Sequence, residues 1–361
     1  MVKIKTMKHI QESKLYIDDI KDILKNNIPF NKLFGSKILI SGSTGLVGTL
    51  LVDVLMFLNR NYNANITIFA LCRNYLRAKD VFNVYKNDTL LSIIAHDINL
   101  PIESLPISDT VDYVIHMASN THPLDYSHDP IGTITSNVIG TKNMLDYAES
   151  HHTKRFLFTS SNEIYGENRG DVVLFDERYC GYIDCNTLRA GYPESKRCGE
   201  ALCQAYKSQK NIDIVVARLT RSYGATLKDN DSKAMTQFIR KAVNGEDIVL
   251  KSQGEQMYSY TYVSDAVAGL FFVLLCGVNG EAYNVADGRS DIKLKLIAEI
   301  LANLANSKVI YDLPTDAEKE GFSRVVKAQL AGDKIERLGW QMKYDVKNGL
   351  KRTLDIIDEL S

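Results

Sequence analysis

The chain alternates short, continuous apolar runs with segments whose apolar residues recur at helical spacing. The runs lie at 37–40, 65–74, 91–98, 111–119, 155–161, 213–219 and 282–286, and helical segments include 50–58 and 133–149. Buried strands that alternate with helices are typical of a parallel sheet covered by helices on both faces, with ligands at the carboxyl ends of its strands. We therefore predict an α/β fold, a doubly wound parallel sheet with a smaller carboxy-terminal α/β lobe.

The first apolar run ends in a turn that contains Gly42, Gly45 and Gly48. Glycine lets such a turn close, lets backbone approach a phosphate and lets the following helix pack on the strand. The N-terminus of that helix suits a pyrophosphate. Because the spacing is GxxGxxG and not GxGxxG, a glycine turn of an ordinary α/β protein is the alternative. The prediction is a dinucleotide-binding Rossmann domain with cofactor contacts from Gly42, Thr44, Gly45, Leu46, Val47 and Gly48.

The predicted sheet also sets the domain boundaries. Residues 1–34 precede the first strand, and their apolar positions recur at helical spacing, which indicates an amphipathic helical extension packed on the main body. The Rossmann domain is expected to span 35–221, with the segment 259–286 returning to its sheet. Residues 222–361 are expected to form the substrate-binding lobe.

The ends of the later strands predict further cofactor contacts. In dinucleotide folds, an acid at the end of the second strand accepts from the ribose 2′-hydroxyl, whereas an arginine suits a 2′-phosphate. This chain has Arg73 and no acid there, which favours NADP and leaves NAD open. Asp97 is expected to accept from the adenine amino group, with Ile98 beside it. The small residues Ala118 and Ser119 would let a cofactor lie close over the sheet edge.

His116 lies inside the apolar run 111–119. A histidine among apolar neighbours is more often a hydrogen-bonded core residue than a catalyst. We predict the core role for His116.

Composition excludes several classes of partner. The 361 residues carry a formal net charge of −1, which gives no electrostatic reason to expect nucleic acid or an anionic membrane as a partner. The start of the chain lacks the apolar core of a signal peptide, and the apolar run 266–278 is too short to span a bilayer. The six cysteines form no CxxC pair, so we expect reduced thiols in a cytoplasmic protein and no metal site.

Candidate chemistry comes from Tyr192 and Lys196, which open a helical segment and lie four residues apart, on one helical face. A phenol with a pKa of ~10 is a poor base at neutral pH, but a neighbouring ammonium and a cationic nicotinamide stabilise the phenolate. Ser161, at the end of the preceding strand, is placed to hydrogen-bond the same substrate oxygen. A glycine-rich turn, a strand end rich in hydroxyls and this pair, in that order, indicate a dehydrogenase-type site.

These features together resemble the extended short-chain dehydrogenase/reductases that modify nucleotide sugars. The resemblance begins near Lys37, reaches the end of the chain and rests on GSTGLVG (42–48), NVIGT (137–141), SNEIYG (161–166), the Tyr192 and Lys196 pair, YVSD (262–265) and LGW (338–340). Within that family, the stretches 118–126 and 129–131, and 189–192 with Lys196, Arg197 and Glu200, look most like UDP-glucuronate decarboxylases, or UDP-xylose synthases.

The resemblance implies a nucleotide-diphosphate sugar as substrate and often a homodimer through a four-helix bundle. It implies transient oxidation at sugar C4, after which CO2 or a proton can leave from C5 and hydride returns. Tyr192 would be the base for the C4 hydroxyl, Ser161 its orienting partner, Lys196 the ribose ligand and Glu163 an acid or base near C5. It also implies a cofactor contact from Asn137, and substrate contacts from Asn162, His122, Arg189, Arg221 and Tyr258.

Three positions depart from the family pattern. Asn162 stands where many 4,6-dehydratases carry an aspartic acid, and an amide cannot protonate a leaving hydroxyl. Arg221 replaces the usual asparagine of the phosphate-gripping motif, and Tyr258 replaces a phosphate-binding arginine. One hypothesis is that Arg221 takes over the phosphate contact, and the other is that it pairs with a carboxylate. Arg324 and Lys327 lie near the family's Arg-Lys-Pro run at a different spacing, so no arginine is assigned to a substrate carboxylate.

Two classes of function follow. The first is a nucleotide-sugar enzyme of decarboxylase type, with dehydratase, epimerase and reductase as alternatives. The second is a non-catalytic NAD(P)-binding module that has kept the fold. The presence of Ser161, Tyr192 and Lys196 favours the enzyme.

Overall fold

The computed structural model of the chain describes residues 9–102, 105, 107, 110–121, 128–227, 231–313 and 326–361. The strands in these ranges are β1 (Lys37–Ser41), β2 (Thr67–Cys72), β3 (Leu91–Ala95), β4 (Tyr113–His116), β5 (Arg155–Ser161), β6 (Ile214–Leu219), β7 (Arg221–Tyr223), β8 (Ile248–Leu250), β9 (Met257–Tyr262), β10 (Ala282–Val285), β11 (Asp291–Lys293), β12 (Val309–Tyr311) and β13 (Lys327–Ala328). Seven of them form one parallel sheet in the order β3-β2-β1-β4-β5-β6-β10. The order reverses at β1, which makes the carboxyl ends of β1 and β4 the expected ligand crevice.

The helices in the same ranges are α1 (Lys14–Leu24), α2 (Leu46–Tyr62), α3 (Tyr75–Val81), α4 (Pro130–Ser150), α5 (Gly191–Lys210), α6 (Ala234–Val243), α7 (Val263–Cys276), α8 (Leu294–Leu304), α9 (Asp333–Glu336) and α10 (Val346–Leu360). Local sequence explains where several begin. Asp129 accepts from the Gly132 backbone N–H with Pro130 in the first turn of α4, and Asn74 caps α3 in the same way. None of the helices in the described ranges combines the length and apolar character that a membrane crossing needs.

The central strands are apolar on both faces because helices cover both. In β1, Ile38 and Ile40 belong to one buried cluster with α1, α2 and α7, whereas Leu39 belongs to a second cluster with α4 and α5. Successive strand residues point to opposite faces, so this division follows from the period of two. The predicted α/β fold with a doubly wound parallel sheet is confirmed.

The predicted strands are present, but several are shorter than the apolar runs. The run 91–98 is a strand only as far as Ala95, which leaves Asp97 and Ile98 beyond its end. The run 111–119 is a strand only as far as His116, and Ala118 and Ser119 follow as irregular backbone. Small residues just past a strand end keep the sheet edge open.

The second half of the chain builds a smaller set of strands beside the main sheet. Strand β9 pairs with β7 and β13 in parallel and with β11 antiparallel, while β8 pairs with β12. Strand β10 then pairs with β6 at the edge of the main sheet, whereas β9, at the start of the segment 259–286, belongs to the smaller set.

Residues 9–34 pack on the main body through α1. Tyr16, Ile20 and Ile23 are buried on its inner face. Asp19, also on α1, accepts hydrogen bonds from the Tyr262 hydroxyl at 2.6 Å and from Arg352 Nε at 2.9 Å. The helix therefore joins the end of β9 to α10. The division of the chain into an extension, a Rossmann domain and a substrate lobe stays a prediction.

Candidate active site

A cavity of about 850 Å³ opens at the carboxyl ends of the main sheet and reaches the smaller lobe. Its described lining holds seven lysine or arginine side chains, among them Arg73, Arg189 and Arg221, and two carboxylates, Glu163 and Asp231. The whole chain has a net charge of −1, so positive charge is concentrated here. Such a lining suits a ligand with several phosphate groups.

The turn between β1 and α2 fits the diphosphate of a dinucleotide. Gly42 has a φ of +73°, and a Cβ at this position would lie 2.8 Å from the Ala118 backbone nitrogen. A Cβ on Gly48 would lie 2.3 Å from the Gly42 carbonyl oxygen. Gly45 caps α2 without a side-chain hydrogen bond, which leaves the helix N-terminus accessible to a phosphate. The six predicted turn residues all line the cavity: Gly42, Thr44, Gly45, Leu46, Val47 and Gly48.

Arg73 lies at the end of β2, on the side of the cavity predicted to hold adenosine. Its Nη2 donates to the Asn120 side-chain oxygen at 3.1 Å. Arg77, one turn into α3, lines the same region together with Ile98. Asp97 is exposed, does not line the cavity and accepts from the Asn99 backbone N–H at 3.0 Å. An adenine contact by Asp97 therefore stays a prediction that this placement does not support.

The Tyr192 phenol lies in the cavity at the start of α5, next to the carboxyl ends of β4 and β5. Ser161, the last residue of β5, and Ser119 both hydrogen-bond it. Burial, and next the negative charge of Glu163, raise the pKa of Tyr192 to about 12, while the two serines and Arg189 act in the opposite direction. Without a bound cofactor or substrate, the Tyr192 phenol is therefore protonated at neutral pH.

Lys196 lies one helical turn after Tyr192 and is 3% exposed. Its Nζ donates to the Thr159 carbonyl oxygen at 3.0 Å. Burial lowers the pKa of Lys196 to about 8, against a smaller opposing effect of Glu200. The ammonium is thus fixed against the β5 strand, where it lines the cavity together with Tyr192.

Asn137, like His116, lies behind the cavity wall, where it connects two elements of the site. The Ser119 hydroxyl donates to Asn137 Oδ1 at 2.7 Å, and Asn137 Nδ2 donates to the Ser195 hydroxyl at 2.9 Å. Asn137 thus ties the β4 end to the first turn of α5, and it does not line the cavity. Its predicted direct contact with the cofactor stays a prediction.

His116 is buried, as predicted, and its ring nitrogens lie 2.7 Å from the Ser41 hydroxyl and 3.1 Å from the Thr141 hydroxyl. Burial, with a contribution from Lys196, lowers the pKa of His116 to about 3. The imidazole is therefore neutral at physiological pH, and its core role is confirmed.

Glu163 and Arg189 form an ion pair at the edge of the cavity beside Tyr192. Arg189 Nη2 donates to both Glu163 carboxylate oxygens, at 2.7 and 2.6 Å. The Glu163 side chain is 22% exposed and the Arg189 side chain is 32% exposed. The structure thus brings together a candidate acid or base and a candidate substrate-binding cation.

Arg221 and Tyr258 meet on the lobe side of the cavity. The Arg221 guanidinium carbon lies 3.6 Å from the centre of the Tyr258 ring, which is a cation–π contact. Arg221 Nη1 is buried without a hydrogen-bond partner, and within the described residues Arg221 forms no ion pair with a carboxylate. Asn162 is buried and lines the cavity, while His122 and Arg324 lie outside the described residues.

Some lining residues were not predicted from the sequence. Asn120 binds Arg73, the Thr159 carbonyl binds Lys196, and Lys233 Nζ donates to the Thr121 hydroxyl at 3.2 Å. A backbone carbonyl carries no sequence signal, and Lys233 comes from a segment that reads as a solvated charged loop. For Asn120, the only sequence signal was its position in the short polar stretch after β4.

A model of the NAD dependent epimerase/dehydratase family matches residues 38–286. The chain is 30% identical over 318 residues to UDP-glucuronic acid decarboxylase 5 of Arabidopsis thaliana, a match that covers 87% of each chain. It is also 30% identical over 321 residues to UDP-glucuronic acid decarboxylase 1 of Xenopus tropicalis, covering 88% of this chain and 71% of that relative. The chain therefore belongs to the NAD dependent epimerase/dehydratase family of enzymes.

Solved structures share the fold. A dTDP-glucose 4,6-dehydratase from Streptomyces venezuelae, with NAD bound, superposes with a TM-score of 0.77 at 22% identity, covering 90% of this chain and 97% of that one. A UDP-glucuronic acid 4-epimerase from Bacillus cereus, in complex with UDP-glucuronic acid and NAD, gives a TM-score of 0.76 at 19% identity, covering 90% and 100%. At these identities the likeness concerns the fold alone.

Proposed function

We propose that the protein is a nucleotide-sugar decarboxylase that acts on UDP-glucuronate through transient oxidation at C4 by a bound NAD(P). The observation that supports it most is that Tyr192, Ser161 and Glu163 line the same cationic cavity as the glycine turn. The decarboxylases that match the chain over most of its length point to the same reaction. Asn162 disfavours dehydration, because an amide is not an acid.

When bound, the nicotinamide supplies hydride acceptance from C4 and hydride return. Tyr192 takes the proton of the C4 hydroxyl, and Ser161 orients that hydroxyl by hydrogen bonding. The ammonium of Lys196, one turn along α5, and the positive charge of the oxidised cofactor favour the phenolate against the burial that raises the pKa of Tyr192. A ketone at C4 accepts the electron pair of the C5–C6 bond as CO2 leaves. The resulting enolate is protonated at C5, and Glu163 is proposed as the acid or base for that proton.

Arg221 is proposed as a ligand of the substrate diphosphate. Its ring contact with Tyr258 fixes the plane of the guanidinium, and the buried Nη1 has no hydrogen-bond partner among the described residues. A guanidinium in this state matches phosphate oxygens well. The alternative of a carboxylate partner finds no support in the described residues.

NADP is proposed as the cofactor. Arg73 and Arg77 lie at the adenosine end of the cavity, and no carboxylate of the described lining lies with them at the β2 end. Fluorescence titration with NADPH and NADH tests the preference. Arg73→Ala is expected to weaken NADPH binding about tenfold and to leave NADH binding within about twofold. Equal affinities in the parent protein would reject the NADP assignment.

A homodimer and a cytoplasmic location complete the proposal. Helices α4 and α5 pack together and carry exposed apolar residues on α4, as a dimer through a four-helix bundle requires. All six cysteines are free thiols, which agrees with a reducing compartment.

The reaction is tested by incubating the protein with UDP-, dTDP-, GDP- and CDP-sugars, followed by mass spectrometry. Loss of CO2 from UDP-glucuronate is expected, and Tyr192→Phe should abolish it. Loss of water from a neutral sugar would instead identify a dehydratase. Gain of two hydrogens with stoichiometric NADPH use would identify a reductase, and an unchanged mass with an altered NMR spectrum would identify an epimerase. The absence of any reaction and of any cofactor reduction would favour the non-catalytic module.

A further inference from the structure

The ion pair between Arg189 and Glu163 is unusual because it lies inside a cavity that suits anions. A partly exposed ion pair of this kind contributes little to stability. The contact uses a single guanidinium nitrogen, Nη2, for both carboxylate oxygens. The Arg189 and Glu163 side chains keep 32% and 22% of their surface open, so an entering ligand can reach them. The pair is therefore open to competition from another carboxylate.

We propose that Arg189 recognises the carboxylate of an acidic sugar by exchanging partners, so that the substrate carboxylate replaces Glu163 on the guanidinium. This inference rests on the proposed function and specifies how the site selects a uronate over a neutral hexose. It assigns a specificity role to Arg189, in the short helical turn Leu188–Ala190 that leads into α5. Glu163 is released by the same event that delivers the substrate.

Three other cations in the described lining are placed for different tasks. Lys196 is buried and bound to the Thr159 carbonyl oxygen, and Arg73 is bound to Asn120 at the adenosine end. Arg221 lies against Tyr258 on the lobe side. Arg189 is the lining cation that contacts Glu163 directly and whose charge acts on the Tyr192 phenol. A sugar with C4 at Tyr192 would therefore present its C5 substituent near Arg189 and Glu163.

The exchange explains why a carboxylate can stand at a site for an anionic substrate. An unpaired Glu163 would repel a uronate, whereas the paired Glu163 is neutralised until the uronate arrives. A neutral hexose cannot displace it, because a hydroxymethyl group offers no charge to the guanidinium. Glu163 would then remain paired and could not serve as an acid or base. The ion pair thus couples substrate choice to the availability of Glu163.

The test is calorimetric binding of UDP-glucuronate and UDP-glucose to the cofactor-loaded protein, in a Tyr192→Phe background that prevents turnover. The two ligands share the nucleotide and diphosphate, so their affinity ratio isolates the C5 substituent. Arg189→Gln is expected to lower the preference for UDP-glucuronate about 10- to 100-fold, as removal of a charged hydrogen-bond partner does. Arg189→Lys should restore part of it. Glu163→Gln should raise the preference about 3- to 10-fold, and that gain should vanish in the double variant with Arg189→Gln.

Arg197→Gln is the matched control, because Arg197 lies on α5, donates to the Ile164 carbonyl oxygen and does not line the cavity. It should leave the ratio within about twofold. A parent protein that prefers UDP-glucose would overturn the proposed function together with this inference. A parent that prefers UDP-glucuronate, with Arg189→Gln keeping that preference or weakening both ligands equally, would overturn this inference alone. If Arg189→Gln does not fold, an unchanged preference in Glu163→Gln rejects the exchange.

Discussion

Gly48, in the first turn of α2, has no room for a side chain. A Cβ there would lie 2.3 Å from the Gly42 carbonyl oxygen, which belongs to the glycine turn after β1. Alanine is favoured over glycine in a helix by about 1 kcal/mol, but forcing an extra carbon into a packed site costs about 1–3 kcal/mol. The clash outweighs the helix preference, and the backbone that must move is the turn itself.

We therefore expect Gly48→Ala to lower the free energy of unfolding by about 1–2 kcal/mol and to weaken dinucleotide binding at least about tenfold. Urea unfolding and fluorescence titration measure the two effects. Gly288→Ala is the control, since a Cβ at Gly288 meets no atom within 4 Å. Dinucleotide affinity that survives Gly48→Ala unchanged would remove the turn from the cofactor site.

Arg221 carries the second prediction at this scale. Arg221→Ala should weaken UDP binding about 10- to 100-fold, because a charged donor to phosphate is lost. Tyr258→Phe keeps the ring that the guanidinium rests on, so its effect should stay below about threefold. Calorimetry with UDP measures both, and dinucleotide affinity should be unaffected in both variants. Equal UDP affinity in the parent and in Arg221→Ala would reject the phosphate role.

Which of these residues the sequence could identify depends on how far apart the partners lie. The glycines and the Tyr192 and Lys196 pair lie within one turn or on one helical face, so the prediction could use their spacing and their order along the chain. The Arg189–Glu163 and Arg221–Tyr258 contacts join residues 26 and 37 positions apart, on different elements. No local pattern encodes such a pairing, and it appears only when the strand ends come together.

At the scale of elements, a buried polar cluster joins α1, α2 and the segment after α3. Asp53, fully buried on α2, accepts hydrogen bonds from the Tyr16 hydroxyl at 2.6 Å, the Tyr85 hydroxyl at 2.9 Å and the Gln11 amide at 3.1 Å. Burial raises the pKa of Asp53 from 3.8 to about 6, against the effect of these donors. The apolar spacing predicted a helix at 50–58. It did not indicate that an aspartate of this helix would form the polar contact with α1.

This raised pKa predicts a pH dependence of stability. The folded state holds the Asp53 proton more tightly than the unfolded chain does, so the stabilisation is complete below pH 3.8 and is lost as the pH rises through 6. Relative to Asp53→Asn, the parent should lose about 1 kcal/mol of unfolding free energy between pH 5 and 7. Urea unfolding at pH 5, 6 and 7 measures the difference.

Asp18→Asn is the control for that measurement, because Asp18 lies exposed on α1 in a pair with Lys21. It measures what the loss of one exposed carboxylate does to the unfolding free energy at each pH. A difference between parent and Asp53→Asn that stays constant, or that grows with rising pH, would contradict the inferred protonation of Asp53.

At the scale of the whole molecule, the two regions that build the cavity are held together away from it. Asp19 on α1 binds Tyr262, which precedes α7, and Arg352 on α10. Asp265 on α7 accepts from the backbone N–H groups of Lys343 and Tyr344, at 2.9 Å each. These contacts tie α1 and α10 to each other and to the end of β9, in a buried cluster that α4 and α5 do not share. The outer surface of α4 and α5 stays uncovered, with Ile131 and Ile139 exposed.

That surface supports the last prediction, a dimer through α4 and α5. Ile131 and Ile139 on α4 are 76% and 44% exposed, and α5 exposes the small residues Cys198, Ala201 and Ala205 along one side. Small residues let two helix pairs approach closely, and large apolar side chains that would otherwise face water gain by burial. Ile131→Glu combined with Ile139→Glu should convert the dimer to a monomer in light scattering after size exclusion. Leu76→Glu, at a residue of α3 that is 78% exposed, should leave the dimer intact. A parent protein that runs as a monomer at micromolar concentration, or a double variant that stays dimeric, would place the interface elsewhere or remove it.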